Sequence, residues 1–354
     1  MLVPEGTVLN SSDRTPAGRR PVTVLAMGGE IHRTLLAGGA LERLGHIAAV
    51  DTSLLVTDYA AADPAVLAVL ADTEVLFTHW GSPQLSDEAL RLMPRLRAVV
   101  HAAGSVKHHV TEAVWERDIA VSSAAAANAL PVAEFTLAAI LFANKRVLGA
   151  ARRYRETRGA FDLLPHFAGQ GNYLRTIGIV GASRIGRRVI ELLRPFDLEV
   201  LLHDPYVGRE DAAALGVERV GLDELVRRSH VVSIHAPQLP ETRHMFDARL
   251  LALMADGSTL INTARGSLVD TRALTEELVS GRIHGVIDVT DPDHLPSDSP
   301  LYNLPNVLLT PHIAGSLGNE LGRMAHWAID EVERYAQGAP FAYGVGPDEL
   351  NRSA

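Results

Sequence analysis

The chain has 354 residues, enough for two domains each with its own core. Hydrophobic residues make up 47% and charged residues 21%, the balance of an ordinary globular protein. A formal net charge of −9 argues against a nucleic-acid-binding surface, and the lack of cysteine excludes disulfides, thiolate nucleophiles and zinc–thiolate sites.

Residues 1–20 have no continuous apolar run and are rich in turn formers, so they read as a loose N-terminal extension rather than a signal peptide. Strands are expected over 22–27, 74–78 and 96–101, with a helix over 31–44 that stops at Gly45 and a short one over 87–93 halted by Pro94. Such βα alternation implies a parallel sheet covered by helices. The most apolar region, 119–143, carries Asn128, Pro131 and Glu134 and reads as a strand leading into a core helix, not a membrane span. That helix is expected over 129–149, with Asn128 as its cap and Pro131 in its first turn.

A polar, irregular stretch follows over 152–172, and a second alternation begins at Thr176. Its strands fall over 176–180, 199–203, 231–235, 258–262, 285–289 and 307–310, with a helix over 247–254 closed by Gly257. An amphipathic helix over 318–337 carries Leu321, Met324, Ala325, Ala328, Val332 and Tyr335 on one stripe. Two βα blocks therefore divide near Asn128, and the last helix can return to the first.

The strand at Thr176 runs into Gly181-Ala-Ser-Arg-Ile-Gly186, which opens a helix. Gly181 permits a tight turn and Gly186 close helix–strand packing, and the first helical residues, Arg184 and Ile185, present free N–H groups to a pyrophosphate. Ser183 replaces the middle glycine of the usual fingerprint; its side chain narrows the approach, but its hydroxyl can donate in exchange. Asp204 lies 18 residues after Gly186, where a carboxylate accepts ribose hydroxyls and repels a 2′-phosphate, which favours NAD over NADP. A plainer reading makes Asp204 a strand-end cap that starts a turn with Pro205. His79, His101, His108 and His109 lack the helical spacing of a zinc site, so no metal is expected. Trp80 reads equally as a pocket wall or a core residue.

Three apolar runs in the last third break at polar residues: INTARGSLVD around Arg265, DVTDPD ending at Asp293, and TPHIAGS around His312. An arginine, a carboxylate and a histidine suit a carboxylate-bearing substrate and proton transfer near neutral pH. With the stretch from Ser233 to Asp270 and DSPLYNLPNVLLTPHIAGS, these runs resemble the D-isomer-specific 2-hydroxyacid dehydrogenase family over roughly 96–315.

The resemblance implies an α/β protein: a Rossmann-type doubly wound parallel sheet over 129–315 that binds NAD, and a discontinuous flavodoxin-like α/β substrate domain formed by 21–128 and 316–354. It implies a small 2-oxo or 2-hydroxy acid as substrate, in the manner of a glyoxylate/hydroxypyruvate reductase or a phosphoglycerate dehydrogenase. Arg265 would bind the substrate carboxylate and polarise the 2-keto oxygen, and His312 would be the general acid and base. Asp293, where the family usually has glutamate, would orient the imidazole; Asp291 and Asp298 are alternatives, and aspartate is shorter by about 1.5 Å. Asp288 and Thr263-Ala264-Arg265 match contacts to the nicotinamide and its ribose, and Ala236, Pro237 and Thr242 match the loop beside the adenosine. Gly315 matches the segment over the nicotinamide.

In the loop after residue 101, Ala103 and Ser105 replace two usual glycines around Gly104, and its backbone amides would meet the substrate carboxylate. Lys107, one of two lysines, stands where aspartate is common; it would favour a second anionic group or serve as a solvated loop residue. The reacting groups are expected to converge in an interdomain crevice of a cytoplasmic homodimer, joined through the cofactor domain around the Asn128 helix and 152–172, with no nucleic-acid or membrane partner. The departures at Ser183, Ala103, Ser105 and Asp293 leave room for a dinucleotide-sensing, corepressor-like member with little turnover. Signatures of formate or phosphite as hydride donor are not apparent.

Overall fold

A computed structural model describes residues 20–60 and 64–350. The expected N-terminal extension falls outside them apart from Arg20. The chain divides into two compact units, one taking the chain up to Asn128 and again from Ser316, the other spanning Ala129–Gly315.

In the first unit, β1 (Val22–Ala26), β2 (Ala49–Val56), β3 (Val75–Thr78), β4 (Ala98–His101) and β5 (Ala120–Ser123) form a parallel sheet in the order β5-β4-β3-β1-β2. This is the flavodoxin-like winding, with its switch point between β1 and β3. Gly344–Val345 adds antiparallel to β5. The central strands β3 and β4 are buried along their whole length, so their sequences are apolar up to the closing Thr78 and His101. β2 at the edge is exposed at the consecutive residues Asp51, Thr52 and Ser53, which hid it from pattern reading.

The helix Glu320–Ala336 buries Leu321, Met324, Ala325, Ala328, Ile329, Val332 and Tyr335 against Leu25, Phe77 and Val100. Each large apolar side chain so buried contributes about 1.5–3 kcal/mol. Its Glu331 is buried and accepts from the N–H groups of Ala342 and Tyr343 at 3.1 Å each, fixing the chain that leads to the antiparallel edge.

The second unit is a seven-stranded parallel sheet: β6 (Arg175–Val180), β7 (Leu198–His203), β8 (Glu218–Arg219), β9 (Val231–Ile234), β10 (Thr259–Asn262), β11 (His284–Ile287) and β12 (Val307–Leu309). Their order, β8-β7-β6-β9-β10-β11-β12, is the Rossmann winding with its reversal between β6 and β9. In a parallel sheet all C-terminal strand ends lie on one edge. The residues that follow β6, β7, β9, β10, β11 and β12 are therefore brought to the same side of the unit.

Four local expectations are corrected. The helix expected over 31–44 is two, Gly29–Leu35 and Ala40–Ile47, broken where Gly38 and Gly39 adopt φ of 63° and 85°. The long helix starts at Ala125, with the Ser123 hydroxyl accepting from the Ala125 N–H. Asn128 is thus inside the helix rather than its cap, Pro131 is its seventh residue, and the Asn128 Oδ1 accepts from the Ser316 N–H at 2.9 Å. The stretch 152–172, expected to be irregular, begins inside the helix Val147–Thr157 and contains a second, Leu163–His166. Gly257 does not end the helix Ala248–Ala252; it lies at φ 75° in the turn before β10, its N–H donated to the Arg282 carbonyl. The helix Ala125–Asn144 is long and apolar enough to cross a bilayer, but Ala133, Ala139 and Ile140 pack it into the core of the second unit.

Candidate active site

The turn after β6 is built around two glycines. Gly181 adopts φ 97° and donates to the His203 carbonyl at 2.8 Å; a Cβ there would lie 2.7 Å from the Ala236 nitrogen. A Cβ on Gly186 would lie 2.0 Å from the Gly181 oxygen, so helix and turn can meet this closely only with glycine at both positions. Ser183 is different. It sits in extended backbone at φ −61° as the cap of Arg184–Leu193, its Oγ accepting from the Gly186 N–H at 3.3 Å. Nothing at that position demands glycine, and the hydroxyl proton is left to donate.

Asp204 lies at the end of β7. Its Oδ2 accepts from the Ala182 N–H at 2.7 Å and its Oδ1 from the Tyr206 N–H at 2.8 Å. A carboxylate has about four lone-pair sites, so both oxygens can still accept from a ribose. The strand-end contacts thus leave both oxygens with acceptor capacity. Glycine turn, helix N-terminus and acidic strand end fit a dinucleotide lacking a 2′-phosphate.

The loop after β9 is self-contained. Thr242 donates to the Pro237 carbonyl at 2.7 Å and accepts from the Leu239 N–H at 2.9 Å, so its hydroxyl clips the loop rather than standing ready for a ligand. Under the glycine turn lies His235, which sequence reasoning passed over. It is buried, bonded to Ser233 Oγ at 2.9 Å, and its pKa is pushed down to about 3 by burial, so it supports the turn as an uncharged group.

Arg265 follows β10 on a turn pinned by Asn262, whose Oδ1 accepts from the Ala264 N–H at 3.1 Å and whose Nδ2 donates to the Arg265 carbonyl at 2.9 Å. The hydroxyls of Thr136 and Thr263 meet at 3.2 Å behind it. Gly266 is required by close approach: a Cβ would lie 2.0 Å from the Thr290 oxygen. The loop bearing Asp293 is thereby held against the Arg265 turn. Burial lowers the guanidinium's proton affinity from the ordinary arginine value, and the Asp293 carboxylate acts in the opposite sense.

Asp288, after β11, is 2% exposed. Its Oδ1 accepts from Thr310 Oγ1 at 2.6 Å and the Ile313 N–H at 2.8 Å, and its Oδ2 from the Ala314 N–H at 2.9 Å. Its backbone oxygen accepts from the His312 N–H at 2.8 Å. The Asp288 carboxylate thus holds the turn that carries His312. At φ 56°, His312 is one of the few non-glycine residues in the left-handed region, a conformation costing about 1–2 kcal/mol. Its imidazole is exposed.

Asp293 is exposed as well, and among the described residues its carboxylate makes no hydrogen bond to His312. The expected pairing is not made, as the loss of one C–C bond relative to glutamate, about 1.5 Å, would lead one to anticipate. Asp291 is paired instead with Arg243 at 3.4 Å, and Asp298 is exposed. Gly315 closes the unit half-buried.

On the first unit, Ala103, Gly104 and Ser105 follow β4. None of the three has a positive φ, so the two replaced glycines are not conformationally required. Thr78 Oγ1 lies 2.9 Å from His101 Nδ1 and 3.2 Å from His109 Nε2, and His79 Nδ1 accepts from the Trp80 N–H at 2.7 Å. These three histidines are buried; burial pushes His79 and His109 to about 4 and His101 well below its ordinary value, so all are neutral at neutral pH. Among the described residues no group of metal-ligating side chains forms. Trp80 is 43% exposed at the end of β3 and is not a core residue.

Residues 137–314 match the family model described as D-isomer specific 2-hydroxyacid dehydrogenase, NAD binding domain. Over 253 residues the chain is 32% identical to D-3-phosphoglycerate dehydrogenase of Methanocaldococcus jannaschii, covering 71% of this chain and 47% of that protein. It is 35% identical over 255 residues to glyoxylate reductase of Korarchaeum cryptofilum, covering 71% and 76%. A D-lactate dehydrogenase from Aquifex aeolicus, solved with NAD and lactic acid, superposes with a TM-score of 0.69 at 28% identity, covering 89% and 96%. The chain spans about half the length of the phosphoglycerate dehydrogenases it matches.

Proposed function

Because the chain belongs to the D-isomer specific 2-hydroxyacid dehydrogenase family, we propose that it interconverts a 2-oxo acid and its D-2-hydroxy acid with NAD(H). The observation that carries this reading is the placing of Arg265 and His312 after β10 and β12. These strands are two apart on the edge that also bears Gly181 and Asp204. Two strand spacings set them about 10 Å apart at the backbone, within reach of one small substrate held by two long side chains.

Bound along the Gly181–Asp204 edge, NAD(H) supplies or accepts the hydride. The Arg265 guanidinium grips the substrate carboxylate and offsets charge on the C2 oxygen. His312 gives that oxygen its proton in reduction and removes it in oxidation. Asp288 holds the turn on which His312 rides, while Asp293 supports Arg265 through its opposite charge. The match to a glyoxylate reductase over 76% of that protein, against 47% of a D-3-phosphoglycerate dehydrogenase, supports a small unphosphorylated 2-oxo acid over a phosphorylated one.

The purified protein should consume NADH with at least one of glyoxylate, hydroxypyruvate or bulkier 2-oxo acids, and prefer these to a phosphorylated 2-oxo acid. The Asp204→Ala variant should bind NADH more weakly and lose discrimination against NADPH. NADH binding without consumption across the whole panel would favour the dinucleotide-sensing reading. Preference for the phosphorylated acid would overturn this choice of substrate.

The assembly we propose is a homodimer through the second unit. Phe142, Leu148 and Tyr154 are 55%, 46% and 65% exposed, and the first two line an apolar groove of about 540 Å³. An apolar surface of this kind marks an interface. Light scattering should give twice the chain mass, and Phe142→Glu should return it to the monomer. The charge of −9 supports neither nucleic acid nor an anionic membrane as a partner, in keeping with a cytoplasmic enzyme.

A further inference from the structure

On the opposite edge of the second unit's sheet, at the N-terminal ends of β6, β9 and β10, lies a polar cavity of about 310 Å³. Arg146, Arg175, His230, Ser258 and Gln170 line it, with Asp256 also contributing. The proposed chemistry uses none of them.

Two guanidiniums share this cavity without a carboxylate of their own. Arg146 donates to Thr259 Oγ1 at 3.0 Å and to the Gly257 carbonyl, both neutral acceptors. The contact of Arg175 is Nε to the Gly171 carbonyl at 3.3 Å. Among the described residues neither makes an ion pair. Burial, and then the charge of Arg175, lower the proton affinity of Arg146, with no acid acting in the other sense.

The acids nearby are engaged elsewhere. Asp256 lies 3.4 Å from Arg282, and Glu199 accepts from the Thr176 hydroxyl at 3.3 Å. A part-buried, uncompensated pair of like charges is unfavourable unless an anion completes it.

The neutral groups around the pair also await a partner. Ser258 is 3% exposed, and its Oγ is buried without a hydrogen bond. His230 Nδ1 accepts from the Thr176 N–H at 3.1 Å, which leaves the proton of the neutral ring on Nε2. Guanidinium forks, a hydroxyl and an imidazole N–H around one cavity form the donor set of a multiply charged tetrahedral anion.

We propose that this cavity is an anion-binding site for inorganic phosphate or a phosphomonoester, separate from the dinucleotide edge. The test is calorimetric titration with inorganic phosphate at fixed ionic strength, on protein saturated with NADH so that the Gly181–Gly186 turn is occupied. One saturable site per chain is expected. Arg175→Gln should weaken it at least tenfold, and Ser258→Ala by a smaller factor, with thermal unfolding and phosphate-free turnover unchanged in Arg175→Gln. Titration with a phosphomonoester in the same buffer distinguishes the free ion from an esterified ligand by which binds more tightly.

Absence of phosphate binding overturns the proposal, as does binding that NADH displaces or that Arg175→Gln leaves intact. A halved mass in Arg175→Gln without phosphate binding would assign the guanidiniums to a carboxylate of a second copy and overturn it equally. Should the protein bind no NADH, the comparison of wild type with Arg175→Gln still reads the site on its own.

Discussion

His312→Ala is expected to lower turnover by about a hundredfold to ten-thousandfold, the range that a positioned acid–base group contributes. The imidazole is exposed on a turn after β12 and makes no side-chain hydrogen bond among the described residues. Its removal therefore strips a proton donor without unpairing buried groups, so the variant should fold and melt as the wild type does. NADH affinity should stay within about a factor of two, since the pyrophosphate and ribose determinants lie after β6 and β7. Pre-steady-state hydride transfer followed by NADH fluorescence separates the two quantities. Equal losses in turnover and NADH affinity would mean that His312 holds the cofactor, and that the acid is another group.

The parts legible in the sequence are those set by strong, local physics. Strands buried on both faces are mostly apolar, and β6, β9 and β10 were readable for that reason. Gly181 and Gly186 could be placed because close approach leaves no other residue possible. β2 escaped notice because it lies at a sheet edge, where polar residues interrupt its pattern. Asn128 looked like a helix cap because asparagine commonly is one. Its side chain instead serves Ser316, 188 residues away, a partner that no local pattern could reveal.

The site divides in the same way. Arg265 and His312 stood out as polar residues ending apolar runs. Their supports, Asn262 and Gly266, sat inside those runs and act through contacts visible only in three dimensions. The aspartate in place of the usual glutamate was visible in the sequence. That its carboxylate makes no hydrogen bond to His312 among the described residues, while its charge acts on Arg265, was not.

Asp288→Asn carries the second large effect, and its outcomes distinguish two roles for one carboxylate. The substitution preserves size, but Asp288 accepts three hydrogen bonds, from the Thr310 hydroxyl and the N–H groups of Ile313 and Ala314. An amide offers one oxygen and one donor, so whichever way it turns, an NH₂ group faces a hydroxyl or a backbone N–H. A buried N–H left unpaired costs about 1–3 kcal/mol. That loss falls on the segment that keeps His312 in its left-handed conformation at φ 56°. The turn should relax and the imidazole lose its aim, so turnover should fall about tenfold to a hundredfold, with NADH affinity little changed. Asp288→Glu cannot rescue it, because a longer side chain has no room in a site only 2% exposed. A loss confined to NADH affinity, with turnover at saturation preserved, would instead place the carboxylate against the nicotinamide end of the cofactor. The split between kcat and NADH affinity therefore reads whether this aspartate acts through the histidine turn or on the dinucleotide directly.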